Sequence, residues 1–108
     1  MTRVLILMLA SALAGSAAAK GNAENGKTKA AQVCAACHGP DGNKPSAPDQ
    51  PILAGQHYDY LVRALTDYKI GRRNNPIMKG FAAQLSKQDI DDLAAWFAAQ
   101  KSALHDQR

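Results

Sequence analysis

Apolar positions along this chain fall into one nearly continuous run and three helical stripes. The run comes first: Val4 to Ala14 is apolar almost throughout, preceded by Arg3 and followed by Ala17-Ala18-Ala19. A positive start, a short apolar stretch and a small-residue site read as a secretory signal over residues 1–19, cleaved after Ala19. The run is shorter than the roughly 20 residues of a membrane helix, although an uncleaved N-terminal anchor is the competing reading. Residues 20–108 are then expected to form a single small domain. A domain of that size buries only a modest core and often needs a staple.

The stripes follow. Ala23, Gly26, Ala30 and Val33 recur on one face of a helix expected from about Ala23 to Ala35, with Asn22 as N-cap. These residues are small, so the face invites close approach by another helix. Gly26 costs about 1 kcal/mol of helix propensity relative to alanine; it is either a tolerated surface glycine or a crossing point. Tyr58, Leu61, Leu65 and Tyr68 mark a second helix from near Gln56 to about Ile70, with Gly71 as its stop. Ile90, Leu93, Ala94 and Phe97 mark the last helix, with Trp96 beside them. Ser86 and Asp89 make a capping-box-like start, and Asp91 and Asp92 are expected to add favourable charge to the first turn.

Between the first two stripes, Gly39 to Gly55 holds Pro40, Pro45, Pro48 and Pro51, four of the five prolines. Proline removes amide donors and fixes φ, so this stretch is expected to be a loop. A loop that long in a small domain is unusual unless it wraps something. Arg72 to Pro76 read as a polar turn, which puts Met78 in a loop-like segment. With no strand pattern, the predicted class is all-α.

The formal charge of +4 falls by one if Arg3 leaves with the signal. A mildly basic chain without dense Lys/Arg clusters gives no support to nucleic-acid binding. The two cysteines are more informative, because Cys34-Ala35-Ala36-Cys37-His38 is the C-x-x-C-H attachment signature of a c-type haem. On a helix the two thiols lie one turn apart, matching the two porphyrin vinyls they add to. His38 then projects over the ring as the proximal iron ligand. C-x-x-C also occurs in zinc sites and redox dithiols. Zinc needs further ligands, and only His57 and His105 remain. A thioredoxin-like dithiol needs alternating strands and helices. A structural disulfide would close too small a loop to constrain the unfolded chain.

If Met1 and Met8 leave with the signal, Met78 is the one methionine in the mature chain. A gap-filling core residue is its ordinary role. After an upstream C-x-x-C-H, a loop methionine some forty residues on also suits the sixth iron position. Met/His ligation favours Fe(II) and raises the reduction potential. His57 is the competing sixth ligand but reads as an exposed helix-start residue, and His105 lies in a fraying tail.

Taken together, Cys34 to Gly39, Pro51-Ile52-Leu53-Ala54-Gly55-Gln56, Asn75-Pro76-Ile77-Met78 and Leu85 to Ile90 resemble the class I cytochromes c over essentially all of Asn22 to Lys101. The similarity is to the small bacterial cytochrome c-553 group and to single domains of dihaem relatives. It implies one covalent haem c with Cys34 and Cys37 as thioether attachments, His38 as proximal ligand and Met78 as distal ligand. It also implies that the Pro51 carbonyl accepts a hydrogen bond from the far ring nitrogen of His38. A crossing of the first and last helices, with Gly26 against Trp96, belongs to the same resemblance; Ala30 departs from it, standing where many relatives carry an aromatic residue.

The resulting expectation is a soluble periplasmic one-electron carrier, a monomer and not an enzyme. It would pass electrons between transient redox partner proteins, from a respiratory donor to a membrane-bound terminal oxidase or reductase. The alternatives are an electron-input haem subunit of a larger dehydrogenase or oxidase and, with an open sixth position, a haem peroxidase or sensor. Ile52, Leu53, Leu61, Leu65, Ile77, Phe81, Leu93 and Phe97 are candidates for the apolar haem shell. Arg72 and Arg73 are candidates for propionate pairing or simply a solvated turn. Lys69, Arg72, Arg73 and Lys79 are candidates for steering an acidic partner.

Overall fold

A computed structural model describes residues 21–103. The signal expected over residues 1–19 and the tail histidine His105 lie outside the described residues. Five helices follow in order: α1 Ala23–Val33, α2 Ala35–His38, α3 Tyr58–Ile70, α4 Pro76–Ala82 and α5 Lys87–Ala98. No strand occurs among the described residues.

Asn22 caps α1, its side-chain oxygen accepting from the Asn25 N–H at 3.0 Å. The helix ends at Val33, two residues sooner than the stripe suggests. Cys34 has φ −113°, and its carbonyl accepts from both the Cys37 and His38 amides, at 3.2 and 3.0 Å. A new helical turn, α2, therefore starts at the first cysteine and carries the second cysteine and His38.

The most extensive helix packing in the fold is α1 against α5. Gly26 sits at the crossing: a Cβ there would lie 1.9 Å from the Asp92 carbonyl oxygen and 2.8 Å from the Trp96 Cβ. It is a crossing point and not a tolerated surface glycine. Ala30 is completely buried one turn further on.

Ser86 and Asp89 cap α5 reciprocally, the Asp89 N–H reaching Ser86 Oγ at 3.0 Å and the Ser86 N–H reaching Asp89 Oδ2 at 2.9 Å. Asp91 and Asp92 do not serve the first turn as the sequence suggests. They lie deeper in the helix and are buried. Asp92 Oδ1 accepts from the Asn22 N–H and from Gln88 Nε2, each at 2.7 Å, and so ties the start of α1 to α5. Asp91 pairs with Lys87 at 3.0 Å.

The proline-rich stretch has no regular structure and folds back along α2. Ser46 N–H bonds the Cys37 carbonyl (2.9 Å), Lys44 N–H bonds the His38 carbonyl (3.1 Å), and Trp96 Nε1 donates to the Pro40 carbonyl (2.9 Å). α3 begins at Tyr58, and Gly71, in the left-handed region at φ +80°, ends it.

The segment expected as a loop around Met78 is instead α4. Asn75 caps it and Pro76 occupies its first position, where a missing N–H and a fixed φ cost nothing. The Asn-Pro pair thus starts a helix here. The core is small: Leu61 from α3, Leu85, and Ile90, Leu93, Ala94 and Phe97 from α5 close on Ala30. No helix among the described residues is long and apolar enough to cross a membrane.

Candidate haem site

A cleft of about 460 Å³ opens beside this core. Its lining brings together Cys34, Cys37, His38, Pro51 and Met78, which are scattered over forty-five positions of sequence. All eight residues expected in an apolar shell line it too: Ile52, Leu53, Leu61, Leu65, Ile77, Phe81, Leu93 and Phe97. Sequence reasoning missed Tyr60, Ala64, Tyr68 and Leu85 in the same wall. Tyr60, Ala64 and Tyr68 recur at i, i+4 and i+8 beside the stripe of Leu61 and Leu65, so the helical period carries their signal.

α2 positions the cysteines and the histidine. His38 is 6% exposed, and its Nδ1 lies 2.9 Å from the Pro51 carbonyl oxygen. With Nδ1–H donating to that carbonyl, Nε2 keeps its lone pair free for a metal. The Pro51 carbonyl is held in place by its loop: Leu53 N–H bonds the Gly42 carbonyl at 2.8 Å, and Gln50 Oε1 accepts from Ser46 and Ala47 amides.

Burial pushes the Cys34 thiol up to about 11, and the neighbouring Cys37 adds to the effect. A dithiol catalyst needs the opposite, a lowered thiol pKa that supplies thiolate near neutral pH. Among the described residues, no group of three or more His, Cys, Asp or Glu side chains gathers to hold a metal ion. Two thiols, an imidazole and a thioether line one apolar-walled cleft, and such a set fits a covalent haem.

Met78 is half-buried in α4 and lies outside the core cluster. His57 is exposed at the start of α3 and does not line the cleft.

The four cations of the α3–α4 region separate. Lys69 donates to the Leu85 carbonyl and is half-buried. Arg72 faces Asp67 at 3.8 Å in a different, more open groove lined also by Arg63, Lys87 and Asp91. Only Arg73 lines the cleft, its guanidinium 4.8 Å from the Tyr68 ring centre and 3.4 Å from the Tyr60 hydroxyl. Arg72 and Lys69 thus do not line the cleft, and Arg72 stays largely exposed. Lys79 is exposed.

Comparison with known proteins agrees with this geometry. The cytochrome c family model matches residues 23–101. Cytochrome c4 of Pseudomonas aeruginosa PAO1 is 48% identical over 105 residues, which is 96% of this chain and 51% of that protein. Cytochrome c-554(548) of Halomonas halodenitrificans is 39% identical over 75% of this chain and 99% of its own length. The crystal structure of reduced recombinant cytochrome c4 from Pseudomonas stutzeri superposes with a TM-score of 0.71 at 44% identity, covering 78% of this chain and 48% of that one. The chain thus spans about half the length of the cytochrome c4 relatives it matches. It belongs to the cytochrome c family, with the class I fold and the C-x-x-C-H cysteines of one covalently bound haem c.

Proposed function

We propose that this chain is a one-electron carrier of the periplasm, exported by a signal over residues 1–19 and passing electrons from a respiratory donor to a terminal oxidase or reductase. The observation that carries the reading is the single cleft that both His38 and Met78 line.

Haem c supplies an Fe(III)/Fe(II) couple. Cys34 and Cys37 would hold it through thioethers, and His38 and Met78 would supply its two protein ligands. The Pro51 carbonyl accepts from His38 Nδ1–H and so orients the ring. Leu61, Leu65, Leu93 and Phe97 keep water from the buried side of the cleft, while the Met78 thioether favours the reduced state. With His38 and Met78 both holding the iron, no open site would remain for oxygen or peroxide, which argues for transfer over catalysis.

Ile77 and Phe81, 68% and 44% exposed, sit at the cleft mouth near Arg73 and Lys79. A small apolar patch with cations beside it suits brief contact with an acidic redox partner. A relative from Stutzerimonas stutzeri A1501, 41% identical over 70% of this chain, is named thiosulfate dehydrogenase electron acceptor, which supports a dehydrogenase among the donors. An electron-input haem subunit of a larger complex is the alternative; size exclusion of native extract separates it from a free monomeric carrier.

Potentiometric titration of the purified holoprotein tests the reading. One reversible wave fitting a single electron is expected, with a potential above that of a bis-histidine variant, Met78→His. A two-electron wave near the thioredoxin range, about −270 mV, would instead mark a dithiol.

A further inference from the structure

Asn75 stands three residues before Met78, and its side chain holds that residue's backbone. Its Oδ1 accepts from the Ile77 N–H and from the Met78 N–H, each at 3.1 Å. Its own carbonyl accepts from the Lys79 N–H at 2.8 Å. Elsewhere α4 is held by its packing on α3 and by the buried Ala82 at its far end. The helix has seven residues, of which only Ala82 is buried. Two turns of helix have almost no stability of their own.

The turn that delivers Asn75 is itself clamped to α3. Gly71 N–H bonds the Tyr68 carbonyl at 3.3 Å, Arg73 N–H bonds the Asp67 carbonyl at 3.1 Å, and the Arg73 guanidinium lies over Tyr68. Asn75 also lines the cleft. Rigidity thus runs from α3 through the turn to the Asn75 cap, and from the cap to the amide of Met78.

We infer that Asn75 is a positioning residue for the distal ligand: its cap holds the Met78 thioether against competing ligands for the iron. The inference rests on the reading of Met78 as that ligand. Losing the cap raises the fraction of molecules with Met78 displaced. The apparent affinity for an external ligand rises by the same factor.

The test is imidazole titration of the ferric holoprotein, followed in the Soret region. Asn75→Ala should bind imidazole about five-fold more tightly than the unaltered protein, a typical cap loss of about 1 kcal/mol at 1.4 kcal/mol per tenfold. Asn75→Ser restores a capping oxygen and should return the affinity to within about two-fold. Asn75→Gly should fall between them, and it serves if the alanine variant takes up no haem. Met78→Ala should bind more tightly than any of these. Asn22→Ala removes an equivalent cap from α1 and should leave imidazole affinity unchanged although it also lowers stability. Affinities that ignore the capping order, or that rise equally in Asn22→Ala, overturn the positioning role. If Met78→Ala binds imidazole no better than the unaltered protein, the ligand assignment itself fails.

Discussion

Replacing Gly26 by alanine should destabilise the protein, although helix propensity alone says the opposite. In an exposed helix the change gains about 1 kcal/mol. Here the new Cβ would stand 1.9 Å from the Asp92 carbonyl oxygen, and that atom belongs to backbone. An ordinary C···O approach is about 3.3 Å or more, so α1 and α5 must separate by roughly an ångström to accept it. Separation strains the Asn22 N–H bond to Asp92 and loosens Ala30 against the core. Overpacking against a rigid neighbour costs about 3 kcal/mol at the upper end of its usual range. The net loss is then about 2 kcal/mol, or roughly 8–16 °C in Tm for a domain of this size. Thermal unfolding of the ferric holoprotein, followed by circular dichroism, measures it. Gly80→Ala in α4 is the matched control: nothing lies within 4 Å of its added Cβ, and stability should rise by up to about 1 kcal/mol. Equal or higher Tm for Gly26→Ala would refute the close crossing.

Three further outcomes are expected. The Ser86 N–H holds the Asp89 carboxyl below its ordinary value of 3.8 against the opposing effect of burial, with the Ser86 hydroxyl and Lys29 assisting. A depressed folded-state pKa stabilises the protein above 3.8 and loses that contribution as pH falls through the folded value. Asp89→Asn should therefore be less stable than the unaltered protein at neutral pH, with the difference closing in acid; a gap independent of pH contradicts the linkage. Trp96→Phe removes the indole donor to the Pro40 carbonyl and should lower stability by about 1 kcal/mol in denaturant melts; an unchanged midpoint would show that the loop is held by its other bonds. The Cys34→Ala/Cys37→Ala chain, made without haem, leaves a cleft of about 460 Å³. At about 24 cal/mol per Å³ a dry void of that size costs on the order of 10 kcal/mol, against a usual total of about 5–15 kcal/mol. Water entering lowers that cost but wets the apolar wall. Low ellipticity at 222 nm is expected, and a cooperative melt with full helix content would contradict it.

The sequence made legible whatever depends on local spacing. α5 could be read because Ser86, Asp89 and the Ile90, Leu93, Ala94, Phe97 stripe are all local signals, and they agree. The shell of the cleft was readable because Leu61 and Leu65 share a face and the loop residues Ile52 and Leu53 adjoin Pro51. α4 was missed because two turns with one buried residue show no period, and Asn-Pro signals a turn as readily as a capped helix. The break at Cys34 depends on one carbonyl serving two amides, which no residue pattern announces. Asp92 and Asn22 are seventy positions apart, so the buried role of that carboxylate is a product of tertiary structure. The same holds for the cations, since adjacent Arg72 and Arg73 differ only in which way their side chains turn.

The proposed function requires that His38 and Met78 together close the coordination sphere of one haem. The ferric absorption spectrum in the near infrared tests it most directly, because the weak sulfur-to-iron band there requires a bound thioether. The band is expected in the unaltered protein and in His57→Ala, and it should be lost in Met78→Ala. A spectrum without the band, or a band that survives Met78→Ala, would contradict it.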